Sequence, residues 1–495
     1  MKTGRTLVVG SGAGGLTLAL LLARTGHAVT LVEKQPSIGG YLRRFVRDGC
    51  WWDTGYHFSG GFRDILKQLA QILGMDDWIS AHPIPNRIIL KQDETEILLP
   101  AGCGHDGAME TFCRQFPGEA AGIKELFDAV RTIWTTRQME NLCDLTPLQM
   151  NFSRYDTTTV REFCGRLGLS PAAETAAGSF AACHGTPISE APMSFHARVG
   201  FALYDSLARP HEGGAPFIRA FRKEAEKLNI EIRTGAELLR FAEPDSDGEC
   251  HEARFADGDP LTVDKVFFTV HPLTVRELLP EKMLTPTFQR RCARLRETTS
   301  FFCAYYQADD DVDLPEGLIS CFSENDLDSI LQGTGGYSTG YMAVREPDLR
   351  GRLRNQITAF RTMPCGTPGF AAGRSAAQRK NDAAYREFKE KTTESITQDL
   401  LAVCPHLKGH LKVVETGSPL TCLDYDPPTG SAYGVRSICG QARLCGQLPV
   451  NNFYLAGQSA MVPGVMGTMM ASLVVFRIAV GEKVYRQIIE NSFRG

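Results

Sequence analysis

An excess of charge of either sign is missing from this chain. Its 495 residues carry 53 basic and 57 acidic side chains, a formal net charge of −4. No large field of either sign follows, which argues against nucleic acid as a partner. Paired cysteine motifs are missing: the 15 cysteines include no CxxC, and their odd number forbids complete internal pairing. Cys439 and Cys445 are the closest two, and nothing around them has the spacing of a zinc site. Reduced thiols, a cytoplasmic setting and no metal are therefore the expectation. There is no uninterrupted apolar run of about 20 residues, the length that crosses a bilayer, and no internal repeat. What remains, 43% hydrophobic and 22% charged residues, is the composition of an ordinary soluble enzyme. The length allows two or three compact units at roughly 150 residues each.

One stretch invites confusion with a leader: "RTLVVGSGAGGLTLALLLARTGHAVTLVEK", residues 5 to 34. A secretion signal, a membrane anchor and a nucleotide pocket can all begin with basic residues and an apolar run. Here Gly10, Gly12, Gly14 and Gly15 break the run, and Arg24 ends it. The nucleotide reading fits. Thr6 to Val9 has the pattern of a buried strand, Gly10-x-Gly12-x-x-Gly15 follows directly, Leu16 to Thr25 reads as a helix capped by Gly26, and Val29 to Val32 as a second strand. Gly10 permits the tight turn, Gly12 lets a pyrophosphate approach the backbone, and Gly15 lets helix and strand pack closely. The helix N-terminus offers free N–H groups to phosphates. Glu33, 18 residues past Gly15, is placed to accept ribose hydroxyls and would repel a 2′-phosphate. Gly333-x-Gly335-Gly336 lacks such a frame and reads as a loop.

After Glu33 the chain continues "KQPSIGGYLRRFVRDGCWWDTGYHFSGG", with Gly39-Gly40 and then Asp53-Thr54-Gly55. This resembles the extended dinucleotide signature of the flavoprotein superfamily of amine oxidases, protoporphyrinogen oxidases and phytoene desaturases. The resemblance implies FAD as cofactor. Many members have Arg directly after the double glycine; here it is Tyr41, with Arg43 and Arg44 close behind, so the pyrophosphate contact is expected to differ. The C-terminal "NNFYLAGQSAMVPGVMGTMMASLVVFRIAVG", 451 to 481, is similar to the strand-Gly-loop-Pro-Gly-helix unit that brings backbone N–H groups to the flavin in that family. Arg477 interrupts it as a membrane span, and no cysteine after Cys445 could supply a cysteinyl flavin link from this tail.

Three further stretches narrow the resemblance to phytoene desaturases, carotenoid isomerases and all-trans-retinol saturases: "DTGYHFSGGF" (53 to 62), the block 183 to 241 with Gly213-Gly214, and "TGSPLTCLDYDPPTGSAYG" (416 to 434). The resemblance implies an α/β fold: a discontinuous Rossmann-like FAD-binding domain (1–75, 205–275 and 435–495) and a mixed α+β substrate domain (76–204 and 276–434). A helix is expected over 216–227, strands over 230–241 and 264–272, a loop over 364–375 and one long polar helix over 376–403.

The cofactor-binding residues it implies are Gly10, Ser11, Gly12, Ala13, Gly14, Gly15, Glu33 and Lys34 in the first motif. Gly39, Gly40, Tyr41, Leu42, Tyr56 and His57 follow after it; Leu239 comes from the central block, and Gly457, Gln458, Gly464, Val465 and Met466 from the tail. The reactions implied are desaturation, saturation or cis–trans isomerisation of a hydrophobic polyene, by hydride exchange at flavin N5. Candidate catalytic residues are His57, His184 and His196, each of which also reads as a structural histidine; Tyr425 is a turn residue or a substrate contact. Residues 62–75 put Phe62, Ile65, Leu66, Leu69, Ile72 and Leu73 on one helical face, either a core face or one that dips into a bilayer to collect a lipid. An amine or porphyrinogen oxidase, and a flavin-stabilised lipid carrier without turnover, are the competing readings. The electron partner is not legible.

Overall fold

The computed structural model describes residues 4–136, 142, 153–426, 428–441 and 443–494. Residues 137–141 and 143–152, within the 76–204 range, lie outside the described residues.

The apolar strand Arg5–Val9 sits at the middle of a six-stranded sheet. Its neighbours are Ala28–Glu33, then Glu231–Thr234 on one side, and Lys265–Phe268, Phe453–Leu455 and Gly446–Gln447 on the other. All pairs are parallel except the last, which is antiparallel. The strands come from three separated stretches of chain. Leu7, Val8, Leu31, Val266, Phe267 and Phe268 are almost fully buried, as expected of a parallel sheet covered on both faces. Helix Ala13–Arg24 starts at Gly12, whose extended backbone forms its N-cap, and Gly26 (φ +85°) turns the chain back after it. Against it packs helix Gly464–Val480. Ser472 Oγ donates to the Gly14 carbonyl at 2.9 Å, and a Cβ on Gly14 would lie 2.7 Å from Thr468. The two ends of the chain are thus joined at a point where only glycine fits.

The second sheet has seven strands, ordered Leu411–Gly417, Ser300–Ala308, Leu353–Met363, Ser338–Pro347, Leu318–Phe322, Asn86–Leu90 and Thr95–Leu99. It is antiparallel apart from the pairing of Leu318–Phe322 with Asn86–Leu90. Helices Gly104–Gln115, Ala120–Thr136 and Met193–Ser206 share a hydrophobic core with this sheet.

Several expected elements form where the pattern places them: helix Ala215–Lys227, strands Glu231–Thr234 and Leu238–Phe241, and strand Lys265–Phe268. Gly333, in the left-handed region, closes helix Leu327–Gln332 and opens the glycine-rich loop. The expected helix over 376–403 is instead two, Ala376–Asn381 and Ala383–Val403. Asp382 divides them because its carboxylate accepts from the N–H groups of Ala384 (2.9 Å) and Tyr385 (3.1 Å), which makes it an N-cap rather than a helix interior. The amphipathic helix Ile65–Leu73 turns its apolar face inward. Ile65, Leu66, Leu69, Ile72 and Leu73 are fully buried, each contributing about 1.5–3 kcal/mol, so the fold itself covers that face. Among the described residues no helix is long and apolar enough to cross a membrane, and the described cysteines are free thiols.

Candidate functional site

A cleft of about 1650 Å³ runs from the C-terminal edge of the parallel sheet to the seven-stranded sheet. Single-ligand pockets are typically about 300–1,000 Å³, so this one has room for a dinucleotide and a second ligand.

Its first lobe is made of backbone. Gly10 has φ +94°, and a Cβ on Gly15 would lie 1.9 Å from the Gly10 carbonyl oxygen. A Cβ on Gly12 would meet nothing within 4 Å, because that position faces the cleft. Glu33 is fixed in advance: one carboxylate oxygen accepts from the Ser11 N–H (3.1 Å) and Ser11 Oγ (2.6 Å), the other from the Gln35 N–H (2.9 Å). Gly39 (φ +120°) donates to the Ser11 carbonyl at 2.9 Å. A Cβ on Gly40 would come within 3.1 Å of Gly12 Cα, so the double glycine folds down onto the first loop. Ser11, Ala13, Gly14, Lys34, Leu42 and Leu239 line the same lobe.

From the other end of the chain come Gln458, in the turn that follows strand Phe453–Leu455, and Gly464, Val465 and Met466, at the start of a helix with no side-chain cap. Its free N–H groups and partial positive charge face the cleft. Gly15 and Gly457 do not line the cleft; they let its walls close up. A Cβ on Gly457 would lie 3.0 Å from the Thr269 carbonyl oxygen. An open approach at Gly12, uncapped helix N-termini and a carboxylate at the end of the second strand together fit a flavin dinucleotide.

Tyr41 lines the cleft with its hydroxyl buried and unbonded among the described residues, and burial pushes its phenol well up. Arg43 also lines it, donating from Nε to the Gly40 carbonyl (3.1 Å) and lying over the Tyr425 ring at 5.4 Å. Arg44 points away, into a buried cluster that sequence reasoning missed. Arg44 Nε is 2.9 Å from Asp53, and its other nitrogen pairs with Glu346. Arg209, 2% exposed, pairs with Asp53 and with Glu346 at 2.9 Å. Its other nitrogen donates to the carbonyls of Tyr56 (3.2 Å) and His57 (3.1 Å). Two guanidiniums and two carboxylates thus fix the backbone beneath His57. The signal available for this cluster was Gly213-Gly214: a Cβ on Gly213 would lie 2.1 Å from Asp53, and one on Gly214 2.3 Å from the Leu42 carbonyl oxygen.

The second lobe is made of apolar side chains. Phe180, Phe195, Phe322, Phe360, Val199 and Leu318 line it. Phe360 stacks on His57 with ring centroids 5.0 Å apart and planes 7° from parallel. Burial, with the Arg209 charge adding to it against Asp53, brings the His57 pKa down to about 4, so its imidazole is neutral at pH 7. Tyr56 is buried beside it, its phenol pushed up by burial. His184 and His196 do not reach the cleft. They lie behind Cys183 and Phe195, bonded to each other through Nε2 and Nδ1 at 3.1 Å, and burial lowers both.

The profile of the flavin-containing amine oxidoreductase family matches residues 13–355, more than half of the chain. The chain is 22% identical over 536 residues to human all-trans-retinol 13,14-reductase, covering 97% of this chain and 86% of that one. It is 24% identical over 298 residues to 4,4'-diapolycopene oxygenase of a Methylomonas species, covering 56% and 57% of the two chains. In fold it is similar to an oxidoreductase from Methanosarcina mazei, with a TM-score of 0.64 at 14% identity over 96% of this chain and 100% of that one. The chain belongs to the flavin-containing amine oxidoreductase family and is an FAD-dependent oxidoreductase.

Proposed function

We propose that this oxidoreductase acts on carbon–carbon double bonds of a hydrophobic polyene, by desaturation, saturation or isomerisation. The observation that carries the reading is the second lobe, a phenylalanine-lined space continuous with the glycine-built first lobe. A double bond offers no hydrogen-bond handle, so its alignment rests on apolar shape. The relatives named for retinol and diapolycopene support the same substrate class.

Bound in the first lobe, FAD would supply two-electron exchange at its ring nitrogen. The protein's share is placement. Gly10, Ser11, Gly12, Ala13, Gly14, Gly39 and Gly40 would hold the dinucleotide, Glu33 and Lys34 would face its ribose hydroxyls, and Gln458 with the helix start at Gly464, Val465 and Met466 would face its flavin. Arg209 holds the Tyr56–His57 backbone, and Phe360 holds the imidazole plane. A neutral His57 donates a hydrogen bond but is a weak proton donor at pH 7, so its role is to orient what lies against it. Phe180, Phe195 and Phe322 exclude water from the polyene.

Mass spectrometry of apolar compounds that co-purify with the protein, before and after flavin reduction, tests the reading. A polyene whose mass or double-bond geometry changes on reduction is the expected result. Turnover of amines with release of hydrogen peroxide, and no polyene, would overturn it.

A further inference from the structure

The residues after the double glycine divide their tasks. Tyr41, directly after Gly40, carries no charge, and Arg44 is committed to Asp53 and Glu346. Arg43 stays at the cleft. Its backbone is pinned: its N–H donates to the Gly40 carbonyl at 3.2 Å, and its carbonyl accepts from Thr54 N–H (3.2 Å) and Thr54 Oγ1 (2.6 Å). Its side chain is pinned too. Nε donates to the same Gly40 carbonyl at 3.1 Å, and a terminal nitrogen donates to Ser37 Oγ at 3.3 Å. A Cβ on Gly39 would lie 3.1 Å from Arg43 Cγ, so the bare double glycine lets the side chain lie along its own loop. A Cβ on Gly40 would in turn come within 3.1 Å of Gly12 Cα. The guanidinium is thereby held beside the turn whose backbone is open to a pyrophosphate.

Tyr425 meets it from the opposite wall, with the guanidinium 5.4 Å from the ring centroid. This tyrosine ends helix Pro419–Tyr425, which follows the edge strand Leu411–Gly417 of the seven-stranded sheet. Both residues line the cleft, and Tyr425 is half-exposed. The stack therefore joins the two walls of the first lobe at its rim. We propose that Arg43 binds the diphosphate of the FAD, and that Tyr425 closes over the guanidinium as a clasp that slows the cofactor's release. A guanidinium has more donors than its bonds to Gly40 and Ser37 use, and its planar fork matches phosphate oxygens. The glycine loop contributes N–H groups and Arg43 contributes charge. Tyr425, read from the sequence as a turn residue or a substrate contact, then acts on the cofactor through Arg43. The proposal rests on the dinucleotide lying in the first lobe and is independent of the polyene reading.

The rate at which FAD leaves the holoenzyme, read as free-flavin fluorescence after dilution, tests it in the wild type, R43M, R43K, Y425L, Y425F and the double variant R43M/Y425L. R43M is expected to release FAD about 30-fold faster, the size of a charge-assisted hydrogen bond, with unchanged circular dichroism. R43K should fall between, because it keeps the charge and loses the fork. Y425L should release about 3-fold faster, the size of an exposed cation–π contact, and Y425F should match the wild type because the ring acts and not the hydroxyl. The double variant should release no faster than R43M, since the clasp works through the guanidinium. Raising the salt from about 0.05 to about 0.5 M shortens the screening length, and should speed release from the wild type and Y425L more than from R43M. Wild-type release from R43M, or an undiminished salt response in it, overturns the diphosphate contact. If R43M does not fold, equal release from R43K and the wild type overturns it instead. Additive effects in the double variant overturn the clasp. Wild-type protein that carries no flavin would overturn the reading of the first lobe itself.

Discussion

The two lobes of the cleft are built from different materials. In the first, the surface is backbone: glycines whose missing side chains leave room, N–H groups at two helix starts, and one carboxylate held by Ser11 and Gln35. In the second, the surface is side chain: phenylalanines drawn from helix Met193–Ser206, from the Ser179–Cys183 turn and from strands Leu318–Phe322 and Leu353–Met363. Backbone recognition needs a fixed spacing in the chain. Side-chain recognition needs only that distant residues arrive at one place. The first lobe is therefore suited to one cofactor, and the second can be retuned by single substitutions. The Arg44–Asp53–Arg209–Glu346 cluster lies where the two meet.

The largest effect expected is on the first lobe alone. Gly12→Val puts a side chain where the protein has open space, so the fold should persist while flavin is lost; absorbance at the flavin band against circular dichroism reads this. Gly15→Val is its counterpart, since a Cβ there meets the Gly10 carbonyl oxygen at 1.9 Å, and it should unfold the lobe itself. If Gly12→Val kept full flavin occupancy, the division of roles between these glycines would be wrong.

Next in size is Arg209→Met. Among the described residues it leaves Asp53 and Glu346 with Arg44 as their ion-pair partner, and breaking a buried pair in this way costs about 3–5 kcal/mol. Chemical denaturation should show a loss of that order, and both lobes should suffer. A loss confined to flavin affinity would move the cluster out of the junction and into the first lobe.

Phe360→Ala should sharpen the contrast from the other side. Removing a buried phenylalanine costs about 3–5 kcal/mol of stability. Flavin content should be retained, and turnover of an apolar substrate should fall as His57 loses its stacking partner. Flavin loss without a change in substrate binding would contradict the assignment.

The smallest effect concerns pH. The folded-state pKa of His57 is lowered to about 4 against an ordinary 6.5. Its contribution to stability is complete above about pH 6.5 and is lost as the pH falls toward 4, because the unfolded chain takes up the proton first. Asp426, raised to about 6, and Glu174, raised to about 7, act in the opposite direction. The measurement is therefore a difference: between pH 7 and pH 5 the melting temperature of His57→Gln should fall less than that of the wild type.

Legibility in the sequence followed the same division. The glycine spacing, Glu33, helix Ala215–Lys227 and strand Lys265–Phe268 could be read because each is specified by residues adjacent in the chain. Phe360 and Arg209 could not. One lies on a strand of the seven-stranded sheet, the other in a three-residue strand, and only the fold brings them to His57. Histidine chemistry singled out His184 and His196, but a sequence does not say which way a ring points, and these two face each other. Polarity alone makes Asp382 one more residue of a helix over 376–403, whereas its side chain competes for backbone N–H groups and starts a new one.

The central claim is that a flavin held by both ends of the chain exchanges electrons with a polyene in the adjoining lobe. Anaerobic stopped-flow mixing of the holoenzyme with retinoid and carotenoid polyenes, with oxidised and with reduced flavin, tests it most directly. The account predicts a change in flavin absorbance in one direction, or a polyene of altered geometry with the flavin spectrum restored. An unchanged flavin and an unchanged polyene in every mixture, beside rapid flavin reduction by an amine, would contradict it.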